Sequence, residues 1–330
     1  MTRELRAGLI GMGAMGRNHA RVLSLLSDVE FVGVVDPLLP VEAGPAGIPL
    51  YRTVDELLAE EEIDMCVVAV PTKFHVEVAL ELASKDISTL IEKPLAGSID
   101  DAERIVDIFA ARDVFAGVGH IERFNPSVRE LRKRLDGRAL GEVIHISTTR
   151  VGPFPARIAD VGVIFDLASH DIDLVQWITG STYRELYAQT AYRSGRTHED
   201  LVSITGVLAD GTVIDHRIDW LSPFKQRQTV VTGEGGAFVA DTLTADLTHY
   251  RNGDFDGGWD DLNQFRGVAQ GDVTRYAINK KEPLLAELEA FRDATLGLSN
   301  NLATVLEGLE VVKVADEVSR TAKANQPTHN

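Results

Sequence analysis

The chain has 330 residues, of which 44% are hydrophobic and 25% charged, and it carries a formal net charge of −17 at pH 7. This length predicts about two domains and a well-buried core. The acidic balance argues against nonspecific binding to nucleic acid and against binding to an anionic membrane surface.

The use of cysteine and the start of the chain bear on its compartment. Cys66 is the single cysteine, so a disulfide within the chain is excluded, and its place in the apolar run 65–70 predicts a buried structural thiol. The apolar run that ends at Ile10 is too short for the core of a signal peptide, and no apolar run reaches the length of a membrane span. We therefore expect a cytoplasmic protein, and we assign no metal-binding residues.

The first elements form a strand–turn–helix pattern around Gly11-x-Gly13-x-x-Gly16. Gly11 permits a tight turn, Gly13 lets the backbone approach a pyrophosphate, and Gly16 lets the helix pack against the strand. The start of the helix, with Ala14 and Met15, then directs backbone N–H groups toward the phosphates. The glycine pattern alone is weak evidence for a dinucleotide site.

Asp36 strengthens the assignment. The next predicted strand, 31–35, ends at this residue, 20 positions after Gly16, where a carboxylate accepts hydrogen bonds from an adenosine ribose. The alternative is a glycine-rich turn with an incidental aspartate, but the strand–turn–helix context and the acid together favour dinucleotide binding. Because a carboxylate repels a 2′-phosphate, we expect NAD rather than NADP.

Strand and helix patterns alternate up to about residue 120. After a proline-containing loop at 37–49, they predict helix 53–60, strand 65–70, helix 74–85, strand 88–91, helix 99–112 and strand 114–118. Such alternation is typical of a parallel, doubly wound sheet. We assign residues 1–122 to an NAD-binding Rossmann domain.

The pattern changes in the second half, 123–330. It predicts a strand at 143–149, a helix at 163–179, strands near 184–192, 201–208, 213–220, 227–232 and 237–240, a long loop at 251–282, and helices at 283–296 and 302–323. Consecutive strands without intervening helices indicate an α+β domain with an open, mainly antiparallel sheet. We assign it to substrate binding and oligomerisation, with the option that the last helix packs back toward the first domain.

An open sheet with a helix on one face leaves its other face to be covered. Trp220, Val230, Val231 and Phe238 lie in strands that offer such a surface. We therefore expect a homodimer or a homotetramer.

Three loops follow strands of the predicted parallel sheet, at the edge where such sheets bind ligands. They are 71–73, 92–94 and 119–126. An enzyme that oxidises an alcohol needs a group that takes the hydroxyl proton, and Lys93 in the second loop is a candidate to hold or relay it. A lone lysine beside a proline is otherwise usually a solvated side chain.

Asp166 and His170 are four residues apart in the helix predicted at 163–179, so they share a face, with Asp173 nearby. From spacing alone, a surface Asp–His pair is the favoured interpretation. A histidine oriented by a carboxylate also suits proton transfer near neutral pH. The position of Lys93 in a domain predicted to hold NAD favours this second interpretation.

Taken together, Gly11-x-Gly13-x-x-Gly16, Glu92-Lys93-Pro94 and Asp166-x-x-x-His170 resemble the Gfo/Idh/MocA oxidoreductases, and the similarity extends to the helix pattern at 306–311. The resemblance implies a Rossmann domain, a C-terminal α/β domain with an open sheet, and NAD. It implies that Lys93, Asp166 and His170 are catalytic. The cofactor-binding positions that it implies beyond the glycine turn and Asp36 are Pro71, Thr72, His75, Glu92, Lys93 and Arg123.

Two further stretches, 119–126 and 150–157, are similar to the branch of the family that acts on nucleotide sugars, notably UDP-N-acetylglucosamine 3-dehydrogenases. In an acidic protein, Arg150 and Arg157 would supply bidentate contacts to a diphosphate. The alternative is that either arginine pairs with Asp160 or another surface acid. The substrate-binding positions that follow are Lys93, His120, Asn125, Arg150, Arg157, Asp166 and His170.

The sequence therefore predicts NAD-dependent oxidation of a secondary hydroxyl of a sugar, with a UDP-amino sugar as the first candidate substrate. One alternative is an inositol or free-sugar dehydrogenase that uses the same site. An alternative of another class is a non-catalytic NAD-binding regulator.

Overall fold

The computed structural model describes residues 4–40, 44–154, 161–253, 269–299 and 301–324. The chain divides into two compact units, the first formed by Met1–Phe124 with Glu282–Asp316 and the second by Asn125–Lys281 with Glu317–Asn330. None of the described helices combines the length and the hydropathy that a membrane crossing requires.

The first unit begins with alternating strands and helices. In chain order these are β1 (Leu5–Ile10), α1 (Ala14–Leu23), β2 (Val29–Val35), β3 (Leu50–Tyr51), α2 (Val54–Glu60), β4 (Met65–Val68), α3 (His75–Ser84), β5 (Ser88–Glu92), α4 (Ile99–Arg112) and β6 (Ala116–Gly119). Short 3₁₀ helices occupy Thr72–Phe74 and Ile121–Phe124.

The second unit follows, and the chain then returns to the first. The elements in order are α5 (Pro126–Asp136), β7 (Val143–Pro153), a π-helix (Ile164–Ala168), α6 (Ser169–Thr179), β8 (Tyr183–Ala191), β9 (Leu201–Leu208), β10 (Val213–Asp219), β11 (Leu221–Gly233), β12 (Gly236–Asp241), β13 (Asp246–Gly253) and β14 (Ala269–Arg275). The closing elements are α7 (Pro283–Thr295), β15 (Ala303–Thr304) and α8 (Val305–Ala324).

Local sequence signals explain several helix boundaries in the first unit. The hydroxyl of Thr53 accepts the N–H of Glu56 at the start of α2, and the hydroxyl of Ser98 accepts the N–H of Asp101 at the start of α4. Each such cap contributes about 1 kcal/mol to helix stability. Acidic residues also occupy both first turns, where they interact favourably with the positive end of the helix dipole.

The strands of the first unit form one sheet in the order β3-β2-β1-β4-β5-β6-β15. All neighbouring pairs are parallel except β6 and β15, which pair antiparallel. This confirms the predicted doubly wound Rossmann sheet.

Alternate residues of these strands enter two apolar clusters, because successive side chains of a strand point to opposite faces. Met65 and Val67 join the cluster that contains residues of α1 and α7. Cys66 and Val68 join the cluster that contains residues of α2, α3, α4 and α8. Cys66 is fully buried, as predicted, and burial raises the pKa of its thiol, so it is an inert packing residue.

The second unit is built on a sheet of order β14-β13-β12-β11-β7-β10-β9-β8. Its neighbouring strands pair antiparallel, except that β7 and β10 run parallel. The prediction of an open, mainly antiparallel sheet is confirmed.

Part of the predicted loop 251–282 is strand. β13 extends to Gly253, and Ala269–Arg275 pairs with it as β14, while 254–268 lies outside the described residues. Composition rich in glycine, aspartate and asparagine favours loops, but ladder hydrogen bonds to a neighbouring strand override that preference. The sequence analysis also missed α5, although Asn125 caps it and Pro126 stands at its first position.

The surface predicted on the open sheet is wrong in three of its four residues. Trp220, Val231 and Phe238 are buried, and Val231 pairs directly with Phe238 between β11 and β12, so both face the core. Val230 is half-buried on the opposite face. Successive side chains of a strand point to opposite faces, so Val230 and Val231 of β11 cannot both lie on the same surface.

Candidate active site

The three glycines after β1 each meet a different requirement. Gly11 has φ = +95°, in the left-handed region, and a Cβ atom there would lie 2.7 Å from the carbonyl oxygen of Ala69. A Cβ at Gly16 would overlap the carbonyl oxygen of Gly11, whereas a Cβ at Gly13 would have no neighbour within 4 Å. The turn therefore packs tightly beneath the helix and leaves open space at Gly13. That combination fits a dinucleotide pyrophosphate, which approaches the backbone at the second glycine.

The Asp36 carboxylate is held beside this turn at the end of β2. Its Oδ2 accepts the N–H of Met12 at 2.9 Å, and its Oδ1 accepts the N–H groups of Leu38 at 2.9 Å and Leu39 at 3.0 Å. These bonds fix the carboxylate beside the glycine turn, and its contact with the adenosine ribose stays a prediction.

His75, at the start of α3, ties two loops of the ligand-binding edge together. The loop at its N-terminal side contains Pro71, which is exposed, and Thr72, which is half-buried. The His75 ring is buried, with Nε2 3.0 Å from the carbonyl oxygen of Val70 and Nδ1 3.0 Å from that of Pro94. Burial lowers the pKa of His75, against smaller opposing effects of these carbonyls. The imidazole therefore holds the loop after β4 and the loop after β5 together.

Glu92 and Lys93 follow β5 at the same edge. The peptide bond between Lys93 and Pro94 is cis, and Lys93 is half-buried. Glu92 is buried, with Oε1 2.7 Å from Nε2 of His19 on α1 and Oε2 accepting the N–H of Lys93 at 3.3 Å. Burial would raise the pKa of Glu92, but the hydrogen bond and charge of His19, with the charges of Lys93 and His75, hold it below its usual range.

The loop after β6 carries three predicted site residues. His120 and Arg123 are both buried, and Nη1 of Arg123 donates to Glu307 at 2.9 Å. Asn125 caps α5, since its Oδ1 accepts the N–H of Ser127 at 3.1 Å, and its Nδ2 donates to the carbonyl oxygen of Thr242 at 3.0 Å. Arg123 and Asn125 thus have internal partners that the sequence did not reveal.

In the second unit, Asp166 lies in the π-helix and His170 in the first turn of α6. The predicted helix at 163–179 is therefore present but begins with a wider turn, a feature frequent at functional sites. Asp166 is buried and His170 half-buried. The structure gives each unit one part of the predicted catalytic set: Lys93 in the first unit, and Asp166 with His170 on one helical segment of the second.

Arg150 makes a buried ion pair that the sequence analysis did not identify. On β7, its Nε donates to Oδ2 of Asp171 at 2.7 Å and its Nη2 to Oδ1 at 3.2 Å. Both side chains are buried. The sequence left two candidate partners for Arg150, a diphosphate and a surface acid. The structure shows a buried acid instead, Asp171, which follows His170 in the chain. Arg157 lies outside the described residues.

His19 and Asp171 are the polar residues near the predicted site that sequence reasoning missed. His19 belongs to the buried face of α1, with Ala20, Val22 and Leu23. A histidine on an otherwise apolar helix face was the available signal, because a buried imidazole usually has a polar partner.

Comparison with known proteins gives two family matches. Residues 5–120 match the GFO_IDH_MocA oxidoreductase family, NAD-binding Rossmann fold, and residues 128–239 match the GFO/IDH/MocA C-terminal domain. The first match identifies NAD as the cofactor of the first unit.

Three relatives illustrate the similarity. The rhizopine catabolism protein MocA of Rhizobium meliloti is 28% identical over 222 residues, covering 64% of this chain and 70% of the relative. UDP-N-acetylglucosamine 3-dehydrogenase of Acidithiobacillus ferrooxidans is 32% identical over 181 residues, covering 54% and 55%. Inositol 2-dehydrogenase 2 of Paenarthrobacter aurescens is 29% identical over 222 residues, covering 63% and 67%.

Structural comparison extends further along the chain than sequence alignment does. A solved structure of the Acidithiobacillus ferrooxidans enzyme superposes with a TM-score of 0.83 at 26% identity, covering 97% of this chain and 98% of that one. The fold is therefore shared over nearly the whole length.

Proposed function

Because the chain belongs to the Gfo/Idh/MocA family and is an NAD-dependent dehydrogenase acting on CH–OH groups, we propose that it oxidises a secondary hydroxyl of a nucleotide amino sugar. UDP-N-acetylglucosamine is the proposed substrate. The similarity to the Acidithiobacillus ferrooxidans enzyme in sequence and in fold supports this choice.

The observation that carries the catalytic part of the proposal is the setting of Lys93. It follows the fully buried strand β5, at the sheet edge that also holds the glycine turn and Asp36, and its backbone is tied to the ionised carboxylate of Glu92. NAD, when bound, supplies the acceptor for the hydride that leaves the carbon. A lysine ammonium at this edge is placed to hold the substrate hydroxyl by a hydrogen bond.

The second unit supplies the proposed proton acceptor. His170 takes the hydroxyl proton, and Asp166, one turn earlier on the same helical segment, orients the imidazole and stabilises its charged form. His170 is half-buried, so its imidazole keeps access to the substrate.

For the substrate phosphates, the proposal depends on Arg157, which is assigned from the sequence pattern alone. Arg150 has both arms of its guanidinium on Asp171, which supports a role in holding α6 on β7 rather than contact with a diphosphate. His120 completes the proposed substrate set.

Turnover by the Lys93→Ala variant tests the catalytic assignment. We expect kcat to fall by about 10²-fold or more while the NAD dissociation constant changes little, since Lys93 acts on the hydroxyl and not on the nucleotide. NADH formation is followed by absorbance with UDP-N-acetylglucosamine. Turnover within about tenfold of the wild type would refute the role of Lys93.

A substrate screen separates the proposal from its alternatives. Myo-inositol, simple hexoses and UDP-N-acetylglucosamine are compared by kcat/KM. A higher value for myo-inositol would favour an inositol dehydrogenase, the activity named for the Paenarthrobacter aurescens relative. NAD binding without turnover of any polyol would favour a non-catalytic regulator.

We also propose that the protein acts in the cytoplasm as a homodimer or homotetramer. On the outer face of the second unit's sheet, Tyr187 and Val213 are exposed and Val230 is half-buried, so apolar side chains are available to a second copy. Light scattering that detects only the monomer mass would refute this assembly.

A further inference from the structure

Within the described part of the chain, His19 has one polar contact, which is with Glu92, the residue before Lys93. The imidazole is completely buried, although it lies on α1 only three residues after Gly16. Its Nε2 is 2.7 Å from Oε1 of Glu92, 73 positions along the chain. Its Nδ1 has no hydrogen-bond partner among the described residues. The orientation of the ring is therefore set by Glu92.

Glu92 is in turn confined to one position. Its second oxygen accepts the N–H of Lys93 at 3.3 Å, so the carboxylate bridges His19 and the backbone of the loop. In the adjacent strand Gly119 pairs with Glu92, and a Cβ atom there would lie 3.3 Å from Cδ of Glu92. The absence of a side chain at Gly119 makes room for the carboxyl group.

The charge state of Glu92 determines which partner donates in its hydrogen bond with His19. Burial would raise its pKa, but His19 first, and then Lys93 and His75, lower it below its usual range. An ionised carboxylate only accepts hydrogen bonds, so Nε2 of His19 carries the hydrogen. Removing that donor would leave a buried carboxylate short of a partner, which is costly and favours a different side-chain position.

We propose that His19 is a positioning residue for Lys93: it holds the Glu92 carboxylate at the end of β5, and the carboxylate fixes the backbone from which Lys93 extends. This inference rests on the catalytic role proposed for Lys93. It also links α1, whose first turn faces the dinucleotide phosphates, to the loop that carries the lysine.

Two substitutions of His19 separate hydrogen bonding from packing. His19→Leu fills the space without a donor, whereas His19→Gln places an amide N–H near the position of Nε2. We expect kcat of His19→Leu with UDP-N-acetylglucosamine to fall by about 10²-fold, since a displacement of about 1 Å has that effect. His19→Gln should regain most of the loss, and the NAD dissociation constant should stay within about threefold in both variants.

A second measurement, by NMR, reports directly on the environment of the Lys93 side chain. Reductive methylation of the apoprotein with [¹³C]formaldehyde gives each lysine an NMR signal, and the Lys93 signal is the one missing from Lys93→Ala. We expect this signal to move in His19→Leu and to return toward its wild-type position in His19→Gln. An unmoved Lys93 signal in His19→Leu would overturn the inference, as would a His19→Gln variant no better than His19→Leu.

Glycine substitutions keep the test decisive if His19→Leu does not fold. Gly119→Ala crowds the Glu92 carboxyl group, and we expect it to lower kcat and to move the Lys93 signal. Gly117→Ala is the matched control in the same strand, because its Cβ would lie 3.2–3.4 Å from Ala303, Phe115 and Leu302 but not against Glu92. Equal effects of the two substitutions would overturn the inference.

Failure of this inference is distinguishable from failure of the proposed function. If the wild-type protein forms no NADH with UDP-N-acetylglucosamine, the proposed function fails. If Lys93→Ala keeps wild-type turnover, the catalytic role of Lys93 fails, and this inference fails with it. If Lys93→Ala is inactive while His19→Leu keeps wild-type kcat, the inference alone fails. If His19→Leu lowers kcat and NAD affinity by the same factor, His19 acts on the helix and not on the lysine, which also overturns it.

Discussion

Replacing Arg150 by methionine should destabilise the second unit. Both side chains of the Arg150–Asp171 pair are buried, and the pair is bidentate, at 2.7 and 3.2 Å. Removing one partner of such a pair costs about 3–5 kcal/mol, because the other charge stays buried without compensation. For a unit of this size, that corresponds to a decrease of about 6–20 °C in Tm. Replacing both residues, Arg150→Met with Asp171→Leu, should recover most of the loss.

Urea unfolding followed by tryptophan fluorescence measures the change, since Trp177 and Trp220 report on this unit. Arg184→Met is the matched control, because its contact with Glu185 is 3.8 Å long and both side chains are exposed. Exposed pairs of this kind contribute less than about 1 kcal/mol. An Arg150→Met variant with wild-type stability and a raised KM for UDP-N-acetylglucosamine would refute this reasoning. It would indicate that Arg150 binds the substrate phosphates.

Two further predictions concern pH and the cofactor. Burial lowers the pKa of His216 to about 4, below its value in the unfolded chain. The neutral imidazole therefore contributes fully to the free energy of unfolding above about pH 6.5, and this contribution is lost as pH falls toward 4. Between pH 7 and pH 5 this amounts to about 2 kcal/mol, and a His216→Gln variant should show a correspondingly smaller fall in urea midpoint; equal falls would contradict the assignment. Asp36→Asn should raise kcat/KM for NADP relative to NAD by about tenfold or more, because the carboxylate no longer repels a 2′-phosphate; an unchanged ratio would show that Asp36 does not face the ribose.

The elements predicted best are those whose signals are local. Helix 99–112 and strand 201–208 have the predicted bounds. In the first, a serine cap and an amphipathic pattern agree with the fold, and in the second, alternation of buried and exposed residues does. Where local preference agrees with the final structure, one sequence is enough to predict the bounds of an element.

The features that sequence reasoning missed depend on partners far along the chain. β14 forms from a segment of loop-like composition because β13 offers it a ladder of hydrogen bonds. The bond between His19 and Glu92 joins residues 73 positions apart, and the acid that binds Arg150 lies on a helix that follows its strand. Glycine spacing and charge show which residue types are present, but only the folded chain shows which pairs are buried together.

The first unit has a consequence for the order in which the protein forms. One of its two apolar clusters includes Leu284, Leu288 and Phe291, and β6 is flanked by β15. Both α7 and β15 are translated after the sheet of the second unit, whose last strand ends at Arg275. When residues 1–124 have left the ribosome, the nucleotide-binding unit therefore still lacks α7 and β15. Its core and its sheet are completed only when synthesis is nearly finished.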